Sequence, residues 1–147
     1  MTSRADFPLV HPNRVRFVEV DRQGILHNSH YLAYFGIALN EYYRKLGYDR
    51  VRKGAEQGTG LHVVSASVQY RAPLMFDEMV DLCAGISRIG RTSLTFQYAI
   101  FKQDREEPAA TGEQIWVHTH QAMHKPVPWP EDFVSMVEAF ERKPVER

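Results

Sequence analysis

The chain has 147 residues, of which 44% are hydrophobic and 24% charged, so it is neither a disordered nor a low-complexity chain. Eighteen Lys and Arg balance eighteen Asp and Glu, so no global field draws it to nucleic acid or an anionic membrane, and little electrostatic repulsion opposes self-association. One cysteine, Cys83, excludes an internal disulfide framework and a multi-cysteine zinc site.

The length suits one domain over 1–147. The opening residues, with Arg4, Asp6 and His11, lack the apolar core of a signal peptide, and no run reaches the roughly 18 apolar residues that span a bilayer. The expectation is a soluble, cytoplasmic protein. Arg14 to Val20 is β-branched and aromatic enough for a first strand, with a change of apolar phase that suggests a bulge or burial on both faces. Asp21-Arg22-Gln23-Gly24 reads as a turn. From Ser29 to Leu46, Tyr31, Phe35, Ala38, Leu39, Tyr42 and Leu46 recur at helical steps. Leu32, Tyr34, Ile37 and Tyr43 widen the apolar surface almost all round, which predicts a buried helix, capped by Asn28 or Ser29 and ended by Gly47. Asp49 to Gly60 is polar and glycine-rich and reads as a loop.

Three alternating stretches follow: Val64 to Arg71, Val80 to Ile86 and Leu94 to Ile100, the last two joined by a tight turn at Ile89-Gly90-Arg91. A fourth runs from Ala110 to Gln121, and Pro130 with Glu131 and Asp132 opens a C-terminal helix. The order is strand, long apolar helix, four antiparallel strands and a short helix. It predicts an α+β fold with the buried helix packed against a curled sheet.

The densest polar chemistry lies between Val20 and Phe35. Asp21 leaves the first strand and Asn28 stands at the mouth of the helix, where unpaired N–H groups and the helix dipole can polarise a carbonyl or hold an oxyanion. A carboxylate beside such donors is a minimal acyl-transfer site, and a thioester suits it because a thiolate leaves without a strong general acid. The same residues also read as a plain turn and a plain helix cap.

The stretch D-x-x-G-x-x-x-N-x-x-Y-L-x-Y-F resembles the signature of the 4-hydroxybenzoyl-CoA thioesterase-like branch of the hotdog superfamily. The resemblance continues in order through VQYRAPLMFDEMVDL, GRTSLTFQYAIF, ATGEQIWVHTH and HKPVPWPEDF. It implies a hotdog fold, a curled antiparallel sheet wrapped around one long central helix, and an acyl-CoA thioesterase without metal or added cofactor, coenzyme A being part of the substrate. By position, Asp21 matches the catalytic carboxylate, as nucleophile or general base. Asn28 matches the residue whose backbone N–H faces the thioester carbonyl, and Gly24 and Tyr31 match positions near the substrate. Arg88 and Arg91 flank a turn where the family often contacts CoA phosphates; they read equally as a solvated hairpin. The resemblance further implies a homodimer or homotetramer with each site shared across an interface.

Four positions depart from the family pattern: Gly36, where Glu is common; Leu39, where Arg is common; Phe76, where Gly is common; and His120, where Asp is common. His27 and His30 flank Asn28, to line the acyl pocket, to supply a proton, or as ordinary half-buried residues. His118 and His120 share a strand face but lack a third ligand at motif spacing, so no metal is expected. Cys83, Tyr42, Tyr43 and Trp116 read as packing residues. Two other activities suit the same fold: an acyl-CoA hydratase or dehydratase using Asp21 with a nearby His, and a non-catalytic acyl-CoA binding module.

Overall fold

In the computed structural model, which describes residues 3–147, five strands form one antiparallel sheet. They are β1 (Leu9–Arg14), β2 (Thr59–Tyr70), β3 (Met79–Ile89), β4 (Ser93–Lys102) and β5 (Ala110–His120), in the spatial order β1-β3-β4-β5-β2. Met1 and Thr2, at the head of the stretch read above for a signal peptide, lie outside the described residues. The sheet curls around α1 (Tyr31–Leu46), with a short α2 (Arg50–Gln57) after it and α3 (Glu131–Glu141) at the end. This is the α+β arrangement that the alternating strands and the apolar helix predict, and the hotdog fold that the resemblance implies. Among the described residues no helix is long and apolar enough to cross a membrane.

The helix is held by its aromatic residues. Tyr31, Tyr34, Phe35, Ala38, Leu39, Tyr42 and Tyr43 are buried against the sheet, each large one contributing about 1.5–3 kcal/mol by leaving water. Phe35 stacks on Tyr98 at 4.6 Å and Tyr42 meets Phe96 edge-on at 5.1 Å. Gly47, at φ 81°, ends the helix in the left-handed conformation that glycine adopts without strain. Leu32 lies on the helix's open side, so burial does not extend all round. Cys83, with Phe7, Ala99 and Phe101, fills a second small core, and burial pushes its thiol up to about 12.

Four expectations are corrected. The first strand is Leu9–Arg14, and Phe17–Glu19 forms a 3₁₀ turn; the apolar phase change at Phe17–Val18 marks that turn, and both residues are exposed. Pro12, which cannot donate to a ladder, is tolerated because β1 is an edge strand paired only with β3. The expected loop after Asp49 contains α2, whose first turn is capped by Asp49 accepting from Arg52 N at 3.0 Å. The mouth of α1 is capped by neither Asn28 nor Ser29: His27 Nδ1 accepts from Ser29 N at 3.2 Å. Finally, the alternation of β2 is broken between Val63 and Ser65 by a bulge.

Candidate active site

The segment from Glu19 to His27 is a miniature hairpin. Val20 and Leu26 form an antiparallel bridge, Asp21 N donates to Ile25 O at 2.9 Å, and His27 N donates to Glu19 O at 2.9 Å. Gly24, at φ 77°, supplies the left-handed residue of the turn. The tip is fastened to the segment before β3 by Phe76 N donating to Gly24 O at 2.9 Å, and Leu26 N donates to Leu74 O at 2.7 Å. Asp21 is exposed there, with Oδ1 accepting from Gln23 N at 2.8 Å and Ile25 N at 3.3 Å. Its Oδ2 has no protein partner among the described residues.

The second arm of the hairpin runs straight into the helix. Asn28–His30 form a 3₁₀ turn that continues as α1, and Tyr31 N donates to Asn28 O. The Asn28 amide has no protein acceptor among the described residues and belongs to the 3₁₀ turn that leads into the positive end of α1. Asp21 and Asn28 thus leave one hairpin about three rungs apart, on the order of 10 Å of backbone. His27 is exposed, its Nδ1 also 2.8 Å from Ser29 Oγ, and its ring stands edge-on to the half-buried His30 at 6.5 Å. Tyr31 is buried edge-on against Tyr70 at 4.8 Å, and burial, then Tyr70, pushes its phenol up. Asp21 and Gly24 thus lie on the hairpin, and His27, Asn28, His30 and Tyr31 follow along the turn that leads into α1.

Sequence reasoning missed Glu19. It is a buried carboxylate (5% exposed) that accepts from Tyr34 Oη at 2.7 Å and from Arg16 N at 2.9 Å, with Arg16 Nη2 at 3.2 Å. Burial alone would raise its pKa, but the bonds from Tyr34 and Arg16 and the Arg16 charge outweigh it and hold the carboxyl below its ordinary value. The signal was present as an acidic residue amid Phe17, Val18 and Val20. The 3₁₀ turn Phe17–Glu19 exposes Phe17 and Val18 and buries Glu19.

Arg88 and Arg91 are not brought to this group. They lie at the other end of β3, roughly 30 Å along the strand from the Asp21 turn, and Arg88 Nε faces Glu146 Oε1 at 3.6 Å. A cavity of about 600 Å³ opens at that far end, between α2, Trp129, Tyr43 and Arg50. His118 is buried beside it, its ring stacked on Trp129 at 4.6 Å and its Nδ1 3.0 Å from Val127 O. Among the described residues no group of three or more His, Cys, Asp or Glu is placed to hold a metal.

Residues 15–137 match the family model described as the thioesterase-like superfamily. A protein of Aquifex aeolicus (strain VF5) bearing an esterase name is 33% identical over 97 residues, covering 66% of this chain and 75% of its own. A crystal structure of a thioesterase from Thermus thermophilus, complexed with coenzyme A and Zn, is similar with TM-score 0.80 and 25% identity, over 95% of this chain and 98% of that one. A Pseudomonas aeruginosa strain PAO1 protein is similar with TM-score 0.82 and 26% identity, over 94% of each chain.

Proposed function

We propose that this chain, which belongs to the thioesterase-like superfamily, hydrolyses an acyl-CoA to CoA and a free acid, with Asp21 and the Asn28 amide as the working groups. One observation supports this reading above the others: a single hairpin presents a carboxylate and feeds, a few residues later, an unpaired amide at the mouth of the buried helix. The thioester carbonyl lies between them, its oxygen toward the Asn28 N–H. In one route Asp21 takes a proton from water as the water oxygen bonds to the carbonyl carbon. In the other, Asp21 itself attacks and water cleaves the resulting anhydride. In both, negative charge gathers on the carbonyl oxygen, where the amide and the helix dipole stabilise it. Collapse of that tetrahedral intermediate breaks the C–S bond, which in the second route is what forms the anhydride that water then cleaves, and the departing CoA thiolate takes up a proton. No metal or added cofactor takes part.

The working form is a homodimer or a higher homo-oligomer. β2 is an edge strand that exposes Val63, Val64 and Tyr70, apolar surface of the kind another strand covers. Antiparallel pairing of two copies through β2 sets the Thr59 end of one beside the Tyr70 end of the other. The second copy's far end, with its cavity and its Arg88 and Arg91, then approaches the Asp21 hairpin. This supplies the CoA-phosphate contacts that one copy alone holds out of reach.

Thiol release from a panel of aromatic and aliphatic acyl-CoAs tests the reading. Release from at least one member is the expected result. Loss of enoyl absorbance without thiol release would mark a hydratase, and tight binding without turnover a binding module.

A further inference from the structure

We propose that Glu19 is the positioning residue of the site, holding the Asp21 hairpin in register with the mouth of α1; this rests on the reading of Asp21 and the Asn28 amide as the working groups. Both functional groups hang on short, exposed segments, and the hairpin's ladder alone is a weak hold. Glu19 joins three pieces at once. Its carboxylate receives the Tyr34 hydroxyl from the first turn of α1 at 2.7 Å and the Arg16 amide at 2.9 Å. Its own carbonyl receives the amide of His27, the residue that caps the helix mouth and precedes Asn28. Two residues further on, the same strand arm delivers Asp21. One buried residue, through its carboxylate and its own carbonyl, therefore fixes the arm bearing the Asp21 carboxylate against the helix mouth.

The bonds are charge-assisted and largely shielded from water, the setting in which hydrogen bonds are strongest. Glu19 does not face the solvent-exposed site and takes no proton from substrate. It acts through Asp21 and Asn28, so its loss appears as misplacement. An error of about 1 Å in such a site can cost on the order of 100-fold in rate.

The test compares Glu19→Ala, Glu19→Gln and Tyr34→Phe with the wild type, by steady-state thiol release and by amide hydrogen exchange at His27. Glu19→Ala is expected to lose about 100-fold in kcat with KM for acyl-CoA nearly unchanged, and to exchange the His27 amide faster. Tyr34→Phe shifts both readouts part of the way. Glu19→Gln keeps an oxygen that can accept from Tyr34 Oη and Arg16 N, so it recovers most of the rate and the slow exchange. A merely structural role would lower melting temperature without a kcat-only loss in the folded enzyme. Wild-type kcat and unchanged His27 exchange in folded Glu19→Ala would overturn the proposal. So would equal loss in the Gln and Ala variants. The reading of the site fails separately: turnover retained by Asp21→Asn would refute it, while faster His27 exchange in Glu19→Ala would still establish the link between hairpin and helix.

Discussion

Phe35 on α1 sits directly over Gly112 of β5: a methyl group built on that glycine would stand 2.2 Å from the Phe35 ring and 2.8 Å from Ser67 O. The central helix is therefore seated on bare backbone, and the approach fixes how deeply α1 enters the sheet. Phe35 is sandwiched in turn against Tyr98, the β4 residue paired with Gly112. Gly112→Ala is expected to cost about 1–3 kcal/mol through overpacking, read as a lower urea midpoint with unchanged slope. Adding Phe35→Leu should return part of the loss, because the smaller side chain vacates the methyl's place.

Two buried carboxyl groups respond to pH in opposite directions. Burial raises the pKa of Glu141, although Tyr42 Oη and Ile86 N each donate to it at 2.7 Å. Its Oε1 is buried with no hydrogen-bond partner among the described residues. A raised folded-state value means that its contribution is fully present below the unfolded value near 4.5 and is lost as pH rises through the folded value. Glu19 has a lowered value, so its contribution is present above about 4.5 and is lost as pH falls through the folded value. Glu141→Gln should accordingly raise the melting temperature at pH 8 and change it little at pH 4. Glu19→Gln should lower it at pH 8, with the difference shrinking in acid. Thermal melts of both variants across that range check the signs.

The helix mouth separates a side-chain role from an amide role. Because His27, not Asn28, caps the turn, Asn28→Ala should change stability by no more than about 0.5 kcal/mol and keep most activity. Asn28→Pro deletes the N–H. It should fold, since proline is accepted at the first helical position and His27 already lies at φ −66°, ψ 141°, a conformation that suits the residue before proline. Loss of that donor should lower kcat about 100–1,000-fold. Equal damage from both variants, measured by thiol release, would assign the work to the Asn28 side chain.

Gly36 is where the chain departs from the family's common Glu, and a Cβ there meets nothing within 4 Å. Gly36→Ala should stabilise α1 by about 0.5–1 kcal/mol, read from the urea midpoint, with thiol release retained.

Much of this architecture was legible because its signals are periodic. The alternation of Leu94, Phe96, Tyr98 and Ile100 and the helical spacing from Tyr31 to Leu46 each survive folding as a buried face. The errors fell where local hydrogen bonding overrides pattern. Phe17 and Val18 look like strand residues, yet a 3₁₀ turn held by Glu19 exposes them. The helix α2 has almost no apolar stripe, burying only Gly54 among its residues, so its Asp49 cap was its main signal. At the site, the Asp21 turn and the helix mouth follow from residue type. The register between them is set by Glu19 and Tyr34, fifteen residues apart and joined only through the fold. Arg88 and Arg91 show the opposite limit: the resemblance placed them with the substrate, and a strand length separates them from Asp21 within one chain.

Whether the Asp21 carboxylate performs the chemistry is decided by steady-state thiol release from Asp21→Asn. The amide keeps the size of the side chain and can still accept from Gln23 N and Ile25 N, so the turn should hold and KM should stay close to wild type. Basicity and nucleophilicity are both lost, so kcat and kcat/KM should fall together, as expected when an interaction belongs to the transition state. A folded Asp21→Asn enzyme that releases thiol at near the wild-type rate would show that Asp21 is not the catalytic carboxylate.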